Sequence, residues 1–165
     1  MAAGETLLQW GPFGNEPPSS NYATLDTRNL HPVLDFDDTT NESAVFSGVM
    51  PQNYAGGGVV VYVHYSMTSA TSGDVDIDAA FERVGDSQQD VDSDGFATAK
   101  SVDNTVVPGT CGHVDIVSIA FANGADMDSV AKGEKFRLKI TRDAASDTAT
   151  GDLELHAVEV REATS

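Results

Sequence analysis

The residues best placed to do chemistry form a short acidic run, Asp90-Val91-Asp92-Ser93-Asp94-Gly95. Three carboxylates at alternate positions before a glycine begin a calcium loop, because the glycine allows the sharp turn that gathers the oxygens. The pattern then stops. Its twelfth position is Ser101 instead of a bidentate glutamate, and no helical pattern flanks it. Asp90, Asp92 and Asp94 are therefore a weak calcium set that competes with a solvated acidic loop. Asp86 and Asp103 join it only if the loop folds back. A second acidic set, Asp74, Asp76 and Asp78, shares one face of an alternating segment. Hydrolytic carboxylate pairs need two acids on separate elements, one of them in apolar surroundings. Three acids on one strand face read as a wet surface.

The remaining reactive groups are scattered. His31, His64, His113 and His156 show no metal-ligand spacing, and His64 can meet His113 or His156 only across a sheet. Cys111 is the single cysteine, so no internal disulfide forms, which fits a reducing compartment. Its loop, 108–112, carries no basic residue to activate a thiolate and reads as passive. No Gly-x-Ser-x-Gly elbow is present, and Gly56-Gly57-Gly58 opens no helix. Those glycines suit a turn or a close strand approach. No catalytic residue and no cofactor is expected. Trp10, Tyr54, Tyr62 and Tyr65 are the aromatics that a sugar platform would use.

The elements that must position these groups are strands. Phe136, Leu138 and Ile140 alternate with Lys135, Arg137 and Lys139, a period of two with one buried and one wet face. Val59–Met67 puts Val59, Val61, Val63, Tyr65 and Met67 on one face. Its other face is also partly apolar, as in a central strand or a subunit interface. Further strands are expected at 32–36, 43–50, 74–84, 96–107, 113–121, 134–142 and 152–161. A bulge is expected where the apolar face switches between Ile116 and Val117, and a helical turn at 126–132 capped by Asp126 and ended by Gly133. About eight strands, one short helical turn and almost no other helix predict an all-β, two-sheet sandwich of jelly-roll type, with a closed barrel as runner-up.

Two regions divide the 165 residues: an extended arm at 1–31 and the sandwich at 32–165. Gly11-Pro12, Gly14-Asn15 and Pro17-Pro18 break regular structure in the arm. Leu7, Leu8, Trp10 and Phe13 are nevertheless large and apolar, so the arm packs either on its own sandwich or on a neighbouring subunit. Residues 1–10 lack a basic region followed by a long apolar run, so no signal peptide is expected.

Charge narrows the partners. Twenty-six acidic residues against nine basic give a formal net charge of -17. Such a surface repels phosphate backbones and anionic headgroups, so neither nucleic acid nor membrane is expected. Five of the nine basic residues lie within positions 132–142. If the last two strands form a hairpin, Lys135, Arg137 and Lys139 oppose Asp152, Glu154 and His156 as a ladder of opposite charges. The competing reading is a docking patch for an acidic surface.

Several phrases carry a family resemblance: 22–29, His31-Pro32-Val33-Leu34-Asp35-Phe36-Asp37, Glu42-Ser43-Ala44-Val45-Phe46, and Val49-Met50-Pro51 with Tyr54. Others are Ala70-Thr71-Ser72-Gly73-Asp74-Val75, Ala80-Phe81-Glu82, Phe136-Arg137-Leu138 through Arg142-Asp143, and Asp147-Thr148 with Gly151-Asp152. Over most of residues 22–161 the chain resembles small virion proteins encoded among the head and tail genes of tailed phages. The resemblance implies a jelly-roll virion component, a homotrimer, assembled in the host cytoplasm and placed on the capsid surface. As a capsid decoration protein it would clamp the major capsid protein, with Leu7, Leu8, Trp10 and Phe13 as anchors and Tyr62 as a further interface residue. As a tail or fibre appendage it would contact the host surface, with a carbohydrate as one ligand. The short length and apolar arm favour decoration. The group brings no catalytic motif, so no active-site residue is carried over.

Overall fold

A computed structural model describes residues 4–164. Ten strands form: β1 (Thr6–Trp10), β2 (Thr24–Arg28), β3 (His31–Phe36), β4 (Glu42–Val49), β5 (Val59–Met67), β6 (Asp74–Val84), β7 (Lys100–Val106), β8 (Asp115–Phe121), β9 (Lys135–Arg142) and β10 (Leu153–Glu162). They make two antiparallel sheets. One runs β2-β3-β10-β5-β8, with β1 joining β3 along the same edge of β10; the other runs β4-β9-β6-β7. This is the two-sheet jelly-roll class that the alternation predicts. No helix among the described residues is long and apolar enough to cross a membrane.

The inner faces follow the period of two. Val59, Val61, Val63 and Tyr65 of β5 meet Phe81 of β6 and Phe136, Leu138 and Ile140 of β9 in one buried core. Phe81 bridges the layers, edge-on to Phe121 at 4.9 Å and tilted against Phe136 at 5.5 Å. Leu7, Leu8 and Trp10 pack against this same core. Trp10 stacks on Phe46 at 5.8 Å and donates its indole N–H to the Ser47 carbonyl at 2.9 Å. Gly48 makes room for them, since a Cβ there would stand 2.9 Å from both Leu8 and Trp10. The described part of the stretch read as an arm is thus laid on its own body, while Phe13 stays 78% exposed.

Several expectations are corrected. The last two strands are not a hairpin, because β9 and β10 lie in different sheets. β9 runs instead between β4 and β6, with Arg137 opposite Ser47 and Glu82. Its cationic stripe therefore faces Glu82, with which Arg137 forms an ion pair, and not Glu154. No bulge occurs at Ile116. The β5–β8 register runs unbroken, Ile116 opposes His64, and it is 52% exposed on the outer face. The helical turn is a 3-10 turn at Ala125–Met127, and Asp126 reaches back to accept from the Ala122 N–H at 3.1 Å instead of capping it. Gly133 donates to Met50 at 2.7 Å and ends no helix.

One cation joins the two sheets. Arg142, at the end of β9, is 1% exposed. Its guanidinium pairs with Asp147 at 2.7 Å and donates to the carbonyls of Phe36 on β3, Ala149 and Gly151. A buried charge is tolerated only when its donors are used, and here each guanidinium nitrogen has an acceptor.

Candidate functional site

The outer face of the four-stranded sheet carries a groove of about 420 Å³. Its floor is made of short side chains: Ser43 from β4, Thr141 from β9 and Ala80 from β6. The register places Ser43 and Asp78 on either side of Thr141, and Ala80 beside Lys139. Longer groups there would fill the channel. One wall is the segment 18–21, held along β4 by backbone bonds between Ser43 and Asn21 at 2.9 Å and Ala23 and Ser43 at 3.0 Å. Asn15 also accepts from the Val45 N–H at 2.9 Å. This segment covers what would be an open strand edge. Ala99, just before β7, lines the other side.

Polar groups converge on this floor. Ser43 and Thr141 share a hydroxyl–hydroxyl bond of 2.7 Å. Asp78 accepts from the Ser101 hydroxyl at 2.5 Å. Burial first, then the like charges of Asp143, Asp103 and Asp76, pushes its carboxyl above the usual range. Asn41 anchors the near end, donating to Asp143 at 2.7 Å and accepting from the Ala145 N–H at 3.0 Å. Phe96 leans over the stripe, with Lys139 4.6 Å and Arg137 5.0 Å from its ring centre. The result is a shallow channel with a hydroxyl-lined floor, one carboxylate and one ammonium, the last packed against the Phe96 ring. A few fixed polar groups in a concave site suit a ligand that offers several hydroxyls.

The sequence-derived candidates fall elsewhere. Asp74, Asp76 and Asp78 are not the wet face expected: Asp76 is 6% exposed and accepts from the Asn104 N–H, while Thr148 bonds Asp74. Asp90, Asp92 and Asp94 lie in an exposed turn, where Asp90 accepts from the Asp92 N–H at 3.0 Å. Among the described residues, the one set of carboxylates gathered closely enough for a cation is Asp37, Asp38 and Asp152, with oxygens within 4.8 Å of one another. Hydrogen bonds from Thr39, Thr40 and Gly151 already hold two of them in place.

Tyr62 sits on the outer face of the six-stranded sheet under Arg161, whose guanidinium lies 4.2 Å over the ring and pairs with Glu159 at 2.8 Å. The histidines are less scattered than their spacing implies. His31, His64 and His156 share this face, and burial, then His31, Arg28 and His64, keeps His156 below its ordinary value despite Glu154. Arg28 binds Glu154 at 2.5 Å and also contacts Cys111, so a cation from a distant strand stands by the thiol whose own loop has none.

The groove itself was not foreseen as a site. Asp78, Lys139 and Phe96 each stood in a recognisable pattern, but nothing in the order of residues shows β4 and β6 flanking β9.

No protein-family model matches the chain, and no curated protein matches it. Solved structures do. A family 35 carbohydrate-binding module from an environmental isolate is similar with a TM-score of 0.54 at 12% identity, over 96% of this chain and 100% of the other. The xylan-binding module CBM15 is similar with a TM-score of 0.51 at 10% identity, over 98% and 100%. These likenesses establish the architecture: a β-sandwich jelly roll of the kind carbohydrate-binding modules use. Neither neighbour is a virion protein.

Proposed function

We propose that this domain binds a carbohydrate chain in the groove of its four-stranded sheet and does not turn it over. The observation that carries the reading is the groove itself: Ser43, Thr141 and Asp78 on the floor, with Lys139 at the rim against the Phe96 ring. Hydroxyl-rich ligands need bidentate acceptors and paired donors. The fold shared with two carbohydrate-binding modules supports it.

Asp78 gives a clean test. Its burial among other acids opposes folding, so Asp78→Asn leaves the melting temperature equal or higher. The same change removes a charged acceptor, worth about tenfold in affinity. Affinity electrophoresis through gels of soluble polysaccharides is expected to retard the parent protein and to retard Asp78→Asn much less. No retardation of the parent by any polysaccharide overturns the reading.

A second reading follows from an apolar hollow of about 310 Å³ between Pro12, Phe13, Pro17, Tyr22 and Leu25. Phe13 is 78% exposed, Leu25 51% and Tyr22 48%. Large exposed aromatics anchor protein interfaces. On this reading Phe13 docks on a major capsid protein, and a homotrimer decorates the virion surface after assembly in the host cytoplasm. Leu7, Leu8 and Trp10 contribute by fixing the arm, not by contact. Trimers in light scattering and banding with capsids on a density gradient, lost in Phe13→Ser, are expected; a monomer that never bands with particles overturns it.

A further inference from the structure

We infer that the ligand of the groove is an acidic glycan, whose carboxylate or sulfate pairs with Lys139. This rests on the carbohydrate reading above. Positive charge goes unmatched at the groove. Nine basic residues face twenty-six acidic ones, so every cation has carboxylates in excess. Six of the nine form ion pairs among the described residues: Arg28, Arg83, Lys100, Arg137, Arg142 and Arg161. Lys139 is in none of them, although it is partly buried in the groove. Its companion is the Phe96 ring, which Arg137 also faces. An ammonium that has given up part of its water gains from a ring but gains more from an anion.

Neighbouring groups fit the same ligand. Glu82 already neutralises Arg137, so the stripe does not repel itself at that point. Lys135 lies on the same face as Lys139, is exposed and is also outside the six ion pairs. Four residues of strand separate them by about 13 Å, a span that a chain molecule with repeated anionic groups can bridge. Across the floor Asp78 supplies an acceptor for hydroxyls. An acceptor at one end and a cation at the other match a sugar that carries both hydroxyls and a negative group. A neutral sugar would leave Lys139 unmatched. The distant acids that give the chain its net charge are screened over about 8 Å at 0.15 M salt, whereas a contact pair is not.

The test compares three probes at 0.15 M sodium chloride by titration calorimetry: polygalacturonate, dextran sulfate and neutral arabinoxylan. The parent protein is expected to bind one of the two anionic polymers about tenfold more tightly than arabinoxylan. Which of the two it prefers separates a carboxylate from a sulfate ligand. Lys139→Gln is expected to erase the preference, and Lys139→Arg to restore it. Should Lys139→Gln fold poorly, Lys135→Gln, at an exposed position, is expected to reduce the preference in part. Equal or tighter binding of arabinoxylan by the parent overturns the inference and leaves the carbohydrate reading standing. So does a preference that survives the loss of Lys139. Failure to bind all three, and neutral mannan besides, removes both.

Discussion

The two outer faces of this sandwich solve the same problem in opposite ways. On the six-stranded sheet most polar groups are matched to one another, one buried oxygen of Asp35 excepted. Arg161 covers Tyr62 and pairs with Glu159, while Glu154 accepts from both Arg28 and Ser66, whose hydroxyl also meets His156 at 2.8 Å. On the four-stranded sheet the floor is cut back to Ser43, Ala80 and Thr141, Asp78 is crowded by other acids, and Lys139 has a ring in place of an anion. Groups that satisfy each other contribute stability; groups left over in a concavity are open to something that arrives. The difference also says why an aromatic on the first face, Tyr62, makes a poor sugar platform: its ring is already occupied.

The largest effect breaks both faces at once. Arg142 ties β9 to β3 and to the 147–151 loop, so Arg142→Ala strands Asp147 and several carbonyls in the interior. Urea unfolding is expected to show a loss of about 3–5 kcal/mol. A change under about 1 kcal/mol would mean the two layers are held by the apolar core alone. Next comes Asp78→Asn, where binding and stability move in opposite directions. A site built only for folding would not show that split.

A smaller effect sharpens the contrast through pH. On the six-stranded sheet Asp35 is pushed up to about 7, first by burial and then by Asp26, Glu154 and Asp152. One of its oxygens is buried without a partner. The folded protein therefore holds a proton that the unfolded chain releases near pH 4. Stability from this group is fully present below that value, falls as pH rises, and is lost above about 7. Asp35→Asn is expected to raise the melting temperature by a few degrees at pH 8 and hardly at all at pH 4. A rise of equal size at both pH values contradicts the assignment. The smallest change is Arg161→Ala, which uncovers Tyr62. The melting temperature is expected to fall only slightly, with polysaccharide retardation unaltered. Weakened retardation would move the binding site to the wrong face.

Much of the sandwich was legible because alternation reports burial directly. The strands at Val59–Met67 and Asp74–Val84 have the bounds their patterns predict. β2 was missed for the same reason: four of its five residues are exposed, so Thr24–Arg28 shows no apolar period. β1 hid among glycines and prolines, although Leu7, Leu8 and Trp10 announced that something there packs. The pairing of β9 could not be read at all. Adjacency in sequence favours a hairpin with β10, but the chain crosses between layers at Arg142, and no local signal marks a crossing. The groove depends on that pairing. Asp78 and Lys139 come together only through the β6–β9 register, in which Asp78 opposes Thr141 and Ala80 opposes Lys139.

The most direct measurement is a backbone amide NMR titration with oligogalacturonate fragments. Shifts concentrated at Asp78–Ala80, Phe96, Lys139–Thr141 and Ser43 are predicted, with the six-stranded face silent. Shifts centred instead on Tyr62, His64, His156 and Arg161 would contradict the account.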